Sequence, residues 1–144
     1  MRRDLRTSLR IFGPLECLRA FCDVRFKSHP KLELLLGQAI RKDEISVEFQ
    51  EKDALNACMA VRSYIINVER AWGERFTCLM ASLAAKRILA RKGVNTVLYV
   101  GVRFGGDGVK AKDDFKAHSW LKYGSRVIVG DHDIEKFKVI KVFS

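Results

Sequence analysis

Residues 77–103 read TCLMASLAAKRILARKGVNTVLYVGVR, and the hydrophobic period changes inside this stretch. From Cys78 onward Leu79, Leu83, Ile88 and Leu89 recur at helical spacing. Thr77 stands where a helix N-cap belongs. Lys86, Arg87, Arg91 and Lys92 gather in the C-terminal half, where cations complement the negative end of the helix dipole. Gly93 is a natural stop. Beyond it apolar residues alternate, so 95–103 reads as a strand. A long helix thus opens on a cysteine and hands over directly to a sheet.

Downstream, GGDGVKAKDD at 105–114 reads as a flexible polar loop, a plain solvated connection in the first place and a loop at the cleft in the second. FKAHSWLKY at 115–123 is a strand, Gly124-Ser125 turns the chain, RVIVGD at 126–131 returns, and FKVIKVF at 137–143 is the last strand. Upstream, PLECLRAFCDVRF at 14–26 suits a helix with Pro14 in its first turn and a stripe of Leu15, Leu18, Phe21, Cys22 and Val24 to Phe26. His29-Pro30 breaks it. A short helix is expected at 31–41 and a short strand at 45–49. Asp53 then caps a helix in which Leu55, Cys58, Met59, Val61, Arg62, Ile65, Ile66 and Val68 recur at helical spacing, and Trp72-Gly73 ends it. The expectation is one α+β domain over 1–144: a helical N-terminal region at 1–52, and a core at 53–144 with an antiparallel meander packed on the Cys78 helix.

Composition bounds the rest. A chain of 144 residues with 48% apolar content supports one hydrophobic core. Charges interrupt the basic N-terminal segment MRRDLRTSLRIFGPLECLRAF before an apolar run forms, so it does not read as a signal peptide. No stretch is long and apolar enough to span a bilayer. The expectation is a cytoplasmic protein without disulfides. Cys17, Cys22 and His29 match no common zinc spacing, so Cys17 and Cys22 read as buried packing residues, and no metal or cofactor is expected. The net charge is +10, and residues 61–144 hold 16 Lys+Arg against 8 Asp+Glu. Such a surface reads first as an ordinary solvated face and second as a site for an acidic peptide partner, while no nucleic-acid motif is present.

Three residues carry chemistry. Cys78 at a helix N-terminus gains from unpaired N–H groups and the positive dipole end, which favour the nucleophilic thiolate. His118, within a strand, is the candidate base. If Lys122 pairs with Val127, then Trp120 pairs with Val129 and His118 with Asp131, around a four-residue loop from Tyr123 to Arg126. Asp131 would then face His118 and orient its ring. Asp133 has the same parity, but its register needs a two-residue Ser125-Arg126 loop, a poor sequence for primed turns. Trp120 is expected beside the imidazole, and Trp72 and Phe76 in the core or lining the cleft.

CLMASLAAKRILARKGVNTVLYVGVRF followed by FKAHSWLKYGSRVIVGDHDIEKFKVI resembles the leader peptidase of lasso peptide biosynthesis, the split, peptidase-only form of the B-protein, in the transglutaminase-like superfamily. The resemblance covers roughly residues 55–144. It implies a transglutaminase-like, papain-like cysteine protease core and a Cys-His-Asp peptidase, with Cys78 as nucleophile, His118 as base and Asp131 as orienting acid. It also implies three partners: a precursor peptide whose leader is removed, a small leader-recognition protein, and an ATP-dependent cyclase that closes the lactam. Two departures bear on specificity. Many members have Ala-His-Ala-Trp where this chain has Ser119, and many carry a basic residue where it has Met80-Ala81-Ser82. The rival readings are a transglutaminase-like acyl transferase using the same residues, and a basic binding module for peptide or nucleic acid without catalysis.

Overall fold

The computed structural model describes residues 2–28, 31, 52–103 and 116–144. The helix expected at 31–41, the strand at 45–49, the loop at 105–114 and His29 lie outside the described residues. Three helices, α1 (Arg2–Phe26), α2 (Lys52–Trp72) and α3 (Cys78–Arg91), precede four strands, β1 (Val97–Arg103), β2 (Lys116–Tyr123), β3 (Arg126–Val129) and β4 (Lys138–Phe143). Short 3-10 turns at Gly73–Arg75 and Ile134–Lys136 join α2 to α3 and β3 to β4. The class is α+β, with an antiparallel sheet packed against helices.

α3 is the central element. Met80, Ala81, Leu83, Ala84 and Ala85 are all buried, together with Ile88 and Leu89. Burial reaches most of the circumference because α1, α2 and the sheet each pack on this helix. The run of alanines lets all three approach closely. Leu83 and Leu89 meet Ile65 of α2 and Leu98, Leu121 and Ile128 of the sheet in one cluster. Each such side chain contributes about 1.5–3 kcal/mol when fully buried. Cys58, Val61 and Ile65 of the expected stripe form the buried face of α2 together with Ala57, while Leu55 and Val68 are half-buried.

α1 departs from expectation in both extent and orientation. It is helical from Arg2, with Pro14 in its interior rather than its first turn. Leu15, Leu18, Cys22 and Phe26, assigned to the buried stripe, are exposed. Its inner face is instead Leu9, Gly13, Glu16, Cys17, Ala20 and Asp23. Electrostatics and close approach decide this. Arg91 Nη2 and Nε donate to Glu16 Oε1 at 2.6 and 3.0 Å, and Arg87 Nη2 donates to Asp23 Oδ2 at 2.6 Å. Lys27 adds an ion pair to Asp23 at 2.7 Å. Burial alone would raise the Asp23 carboxyl, but Lys27 and Arg87 hold it below the usual carboxylate range. At Gly13 a Cβ would sit 2.6 Å from Tyr64 Cζ, so a larger residue would have to displace the Tyr64 ring for α1 to close on α2 as it does. The basic residues of α3 therefore clamp α1, beyond any interaction with their own helix dipole.

The sheet order is β3-β2-β1-β4, every pair antiparallel. The last strand pairs with β1 rather than β3, which corrects the simple meander. β3 has only four residues, and the chain turns away through Asp133, whose φ is 51°, before reaching the free edge of β1. There Val142 and Phe143 are buried.

The β2–β3 hairpin also differs from expectation. Lys122 pairs with Val127 as expected, but Tyr123 pairs with Arg126, leaving a two-residue Gly124-Ser125 turn. Glycine leads it at φ 58°, the pattern of a type II′ turn. A bulge between Leu121 and Lys122 then shifts the register, so Val129 faces Leu121 and not Trp120. β3 ends there, and Asp131 never enters the ladder opposite His118.

Candidate active site

Cys78 is the first residue of α3, and Thr77 Oγ1 accepts from the Met80 N–H at 3.4 Å as its N-cap. Four cysteines lie among the described residues, and their environments differ. Burial pushes the Cys17 and Cys58 thiols up to about 11. Burial acts on Cys78 in the same direction, but the neighbouring His118 imidazole and the Ser119 N–H and hydroxyl beside the sulfur outweigh it, and its pKa falls below the ordinary thiol value. Cys78 is thus the thiol prepared for ionisation.

His118 shows the complementary shift. The neighbouring Cys78 raises its pKa, burial opposes this, and the Gly130 carbonyl and the charges of Cys78 and Glu69 reinforce it. Nε2 lies 2.8 Å from the Gly130 carbonyl oxygen. That oxygen can only accept, so Nε2 carries the proton and Nδ1 is left for Cys78. Trp120 stacks on the ring at 5.9 Å between centroids, as expected, and Phe137 leans on it at 5.1 Å. Tyr99 backs Trp120 in a near-parallel stack. Gly101, paired with His118 across β1–β2, leaves room for Trp120, whose Cη2 would be 2.9 Å from a Cβ there. Phe76 is buried, whereas Trp72 is 38% exposed and bridges Phe21 and Phe76 edge-on.

Asp131 reaches the site but not the imidazole. Arg62 Nη2 donates to its Oδ2 at 2.8 Å, and Arg62 Nη1 donates to the Ile128 carbonyl at 3.0 Å. Arg62 holds the Asp131 carboxyl below the usual range. The expected Asp131–His118 pairing is absent because the bulge moves the strand out of register, and the Gly130 carbonyl takes the place beside Nε2. Asp133 pairs with Lys136 at 3.2 Å. A cavity of about 490 Å³ opens over these groups, with Cys78, His118, Arg62, Glu69, Asp131 and His132 in its wall. Among the described residues no group of His, Cys, Asp and Glu is placed to hold a metal ion.

Sequence reasoning overlooks Arg62 and Glu69, both on α2. They stand two helical turns apart, and so share the cavity side with Ile65 and Ile66. That spacing is visible in the sequence, but nothing in it says which face of α2 meets the cysteine.

Ser119, the departure from Ala-His-Ala-Trp, has a physical consequence. It is 3% exposed, and its hydroxyl is buried without a hydrogen-bond partner of good geometry. It nevertheless lies close enough to Cys78 to favour the thiolate. A neutral thiol is a weak acceptor and a thiolate a strong one, so this hydroxyl gains its partner when Cys78 ionises. Ser119→Ala is expected to move the alkylation profile of Cys78 to higher pH and slow the reaction about 10-fold at neutral pH. An unchanged profile would show that the backbone N–H of Ser119 and His118 suffice.

Searches of curated proteins and of solved structures returned no match. A family model described as the transglutaminase-like superfamily matches residues 24–142. That span takes in α2, α3, nearly the whole sheet and every residue of the site, and on it the chain belongs to the transglutaminase-like superfamily.

Proposed function

We propose that this chain is a cysteine peptidase that removes the leader from a ribosomally made lasso peptide precursor in the cytoplasm. The observation carrying the reading is that Cys78, at the head of α3, and His118 line one cavity and shift each other, the thiol downward and the imidazole upward. Membership of the superfamily supports hydrolysis or acyl transfer in general. The lasso assignment adds the sequence resemblance over residues 55–144.

The chemistry follows from the placement of protons. His118 Nδ1 takes the Cys78 Sγ proton, and the thiolate attacks the scissile carbonyl. The oxyanion forms beside the head of α3, where the Cys78 N–H is a candidate donor. As the C–N bond breaks, the imidazolium gives its proton to the leaving amine, and the thioester remains on Cys78. His118 then deprotonates water, which attacks the thioester and restores both groups. Asp131 serves as a positioning residue. Through Arg62, which also binds the Ile128 carbonyl, it holds the segment whose Gly130 carbonyl orients the ring. A leader-recognition protein would present the precursor, and an ATP-dependent cyclase would use the freed core.

Acyl transfer uses the same thioester and differs only in the acceptor. Incubation of precursor, recognition protein and this chain, followed by mass spectrometry, separates the two. Leader and core fragments whose masses sum to precursor plus one water establish the peptidase. A joined product with loss of the leaving amine establishes transfer, and intact precursor bound by a folded protein would sink both.

A further inference from the structure

The site has two acidic side chains in its wall, and they are not equivalent. Asp131 is bonded to Arg62 at 2.8 Å, and its side chain is 42% exposed. Arg62 offsets its charge, and the imidazole Nε2 bonds the Gly130 carbonyl rather than this carboxylate. Glu69 comes from α2 and lines the same cavity as Cys78 and His118. Among the described residues no hydrogen-bonded cation holds its carboxylate.

We propose that Glu69 is the carboxylate that stabilises the His118 imidazolium, and that Asp131 is a structural anchor for Arg62. This rests on the Cys78–His118 reading and assigns a positioning residue within it. The relevant groups come from every element around the cavity: Arg62 and Arg70 on α2, Cys78 on α3, His118 on β2, and Asp131 and His132 after β3. Burial raises the Glu69 carboxyl, and Asp131 adds to this, while His132, Arg62 and His118 favour its charged form. Glu69 in turn raises His118. The coupling is reciprocal: proton transfer from Cys78 to His118 creates the cation that favours Glu69 as an anion, in a partly desolvated site where the attraction is less screened. Arg62 divides its role, bonding Asp131 and only adding its field to Glu69.

The test is the pH dependence of iodoacetamide labelling at Cys78, read by peptide mass mapping so that Cys17, Cys22 and Cys58 do not interfere. Labelling needs no precursor, so failure here is distinct from failure of the peptidase assignment. Glu69→Gln is expected to lose the low-pH limb of the profile and, on precursor, to lower kcat on the order of 10-fold with little change in KM. Glu69→Asp is expected to restore part of both. The sign for stability is opposite. A carboxyl whose folded pKa is raised binds its proton more tightly when folded, so its ionised form opposes folding as pH rises. Glu69→Gln should therefore melt no lower than wild type at neutral pH, which separates it from a merely structural residue. Asp131→Asn should lower the melting temperature and shift the profile less than Glu69→Gln. A Glu69→Gln profile that superimposes on wild type overturns the proposal, whether Asp131→Asn then moves it or not. A Glu69→Gln protein that melts well below wild type overturns it too.

Discussion

Cys78→Ala is expected to reduce precursor cleavage by at least about 10³-fold, because the thioester route is lost and only binding and oxyanion stabilisation remain. His118→Ala should cost nearly as much, and the double variant little more than either, since the two residues act as one proton-transfer unit. Neither change should unfold the chain. Thr77 still caps α3, and the side chain of Cys78 is only partly buried, unlike those of Cys17 and Cys58. The pH dependence carries the sharper signature. The Cys78 thiol is lowered and the His118 imidazole is raised, so the two move toward each other and the ion pair becomes accessible below the pH at which an ordinary thiol ionises. Labelling of Cys78 in wild type should therefore begin at lower pH than that of a free thiol such as N-acetylcysteine, and in His118→Ala it should retreat upward. Equal cleavage by Cys78→Ala and wild type would remove the nucleophile from Cys78.

The parts of this site readable in the sequence are those set by local rules. A cysteine after a capping threonine, a helix ending at a glycine, and a histidine two residues before a tryptophan on a strand each depend on neighbours a few positions away. The structure places all of them as expected: α3 begins at Cys78, and Trp120 stacks on His118. What escapes a sequence reading depends on partners far along the chain. Leu15 and Leu18 form a better apolar stripe than Glu16 and Ala20, yet α1 turns the latter inward. Arg87 and Arg91, some 64 to 75 positions away, supply the cations that make burying two acids favourable. The β2–β3 register is half legible. Alternation correctly pairs Lys122 with Val127, but a one-residue bulge at Leu121 is invisible to parity, and it carries Asp131 out of line with His118. The same bulge explains why Gly130, unremarkable in the sequence, is the group that holds the imidazole.

Gly130→Ala is expected to cost about 2–4 kcal/mol of stability, from left-handed backbone strain and a steric clash together. The φ of Gly130 is 80°, in the region L residues rarely adopt. An added Cβ would lie 2.5 Å from the Ser119 carbonyl oxygen and 3.1 Å from Trp120 Cα. Both are β2 backbone, so the strain cannot be relieved by rotating a side chain. Either the Gly130 segment or β2 must move, and each carries a contact of the proposed site: the Gly130 carbonyl on His118 Nε2, or Ser119 beside Cys78. Loss of cleavage should therefore exceed the loss of folded protein. Gly93→Ala supplies the control, since Gly93 has a similar φ of 72° but nothing within 4 Å of its Cβ position. It should show the conformational cost alone, about 1–2 kcal/mol, with the labelling profile of Cys78 intact. Thermal melts and Cys78 labelling on the two variants side by side decide the matter. If Gly130→Ala is destabilised yet keeps the wild-type profile, the carbonyl does not orient the ring, and the raised His118 pKa must come from Cys78 and the surrounding charges alone.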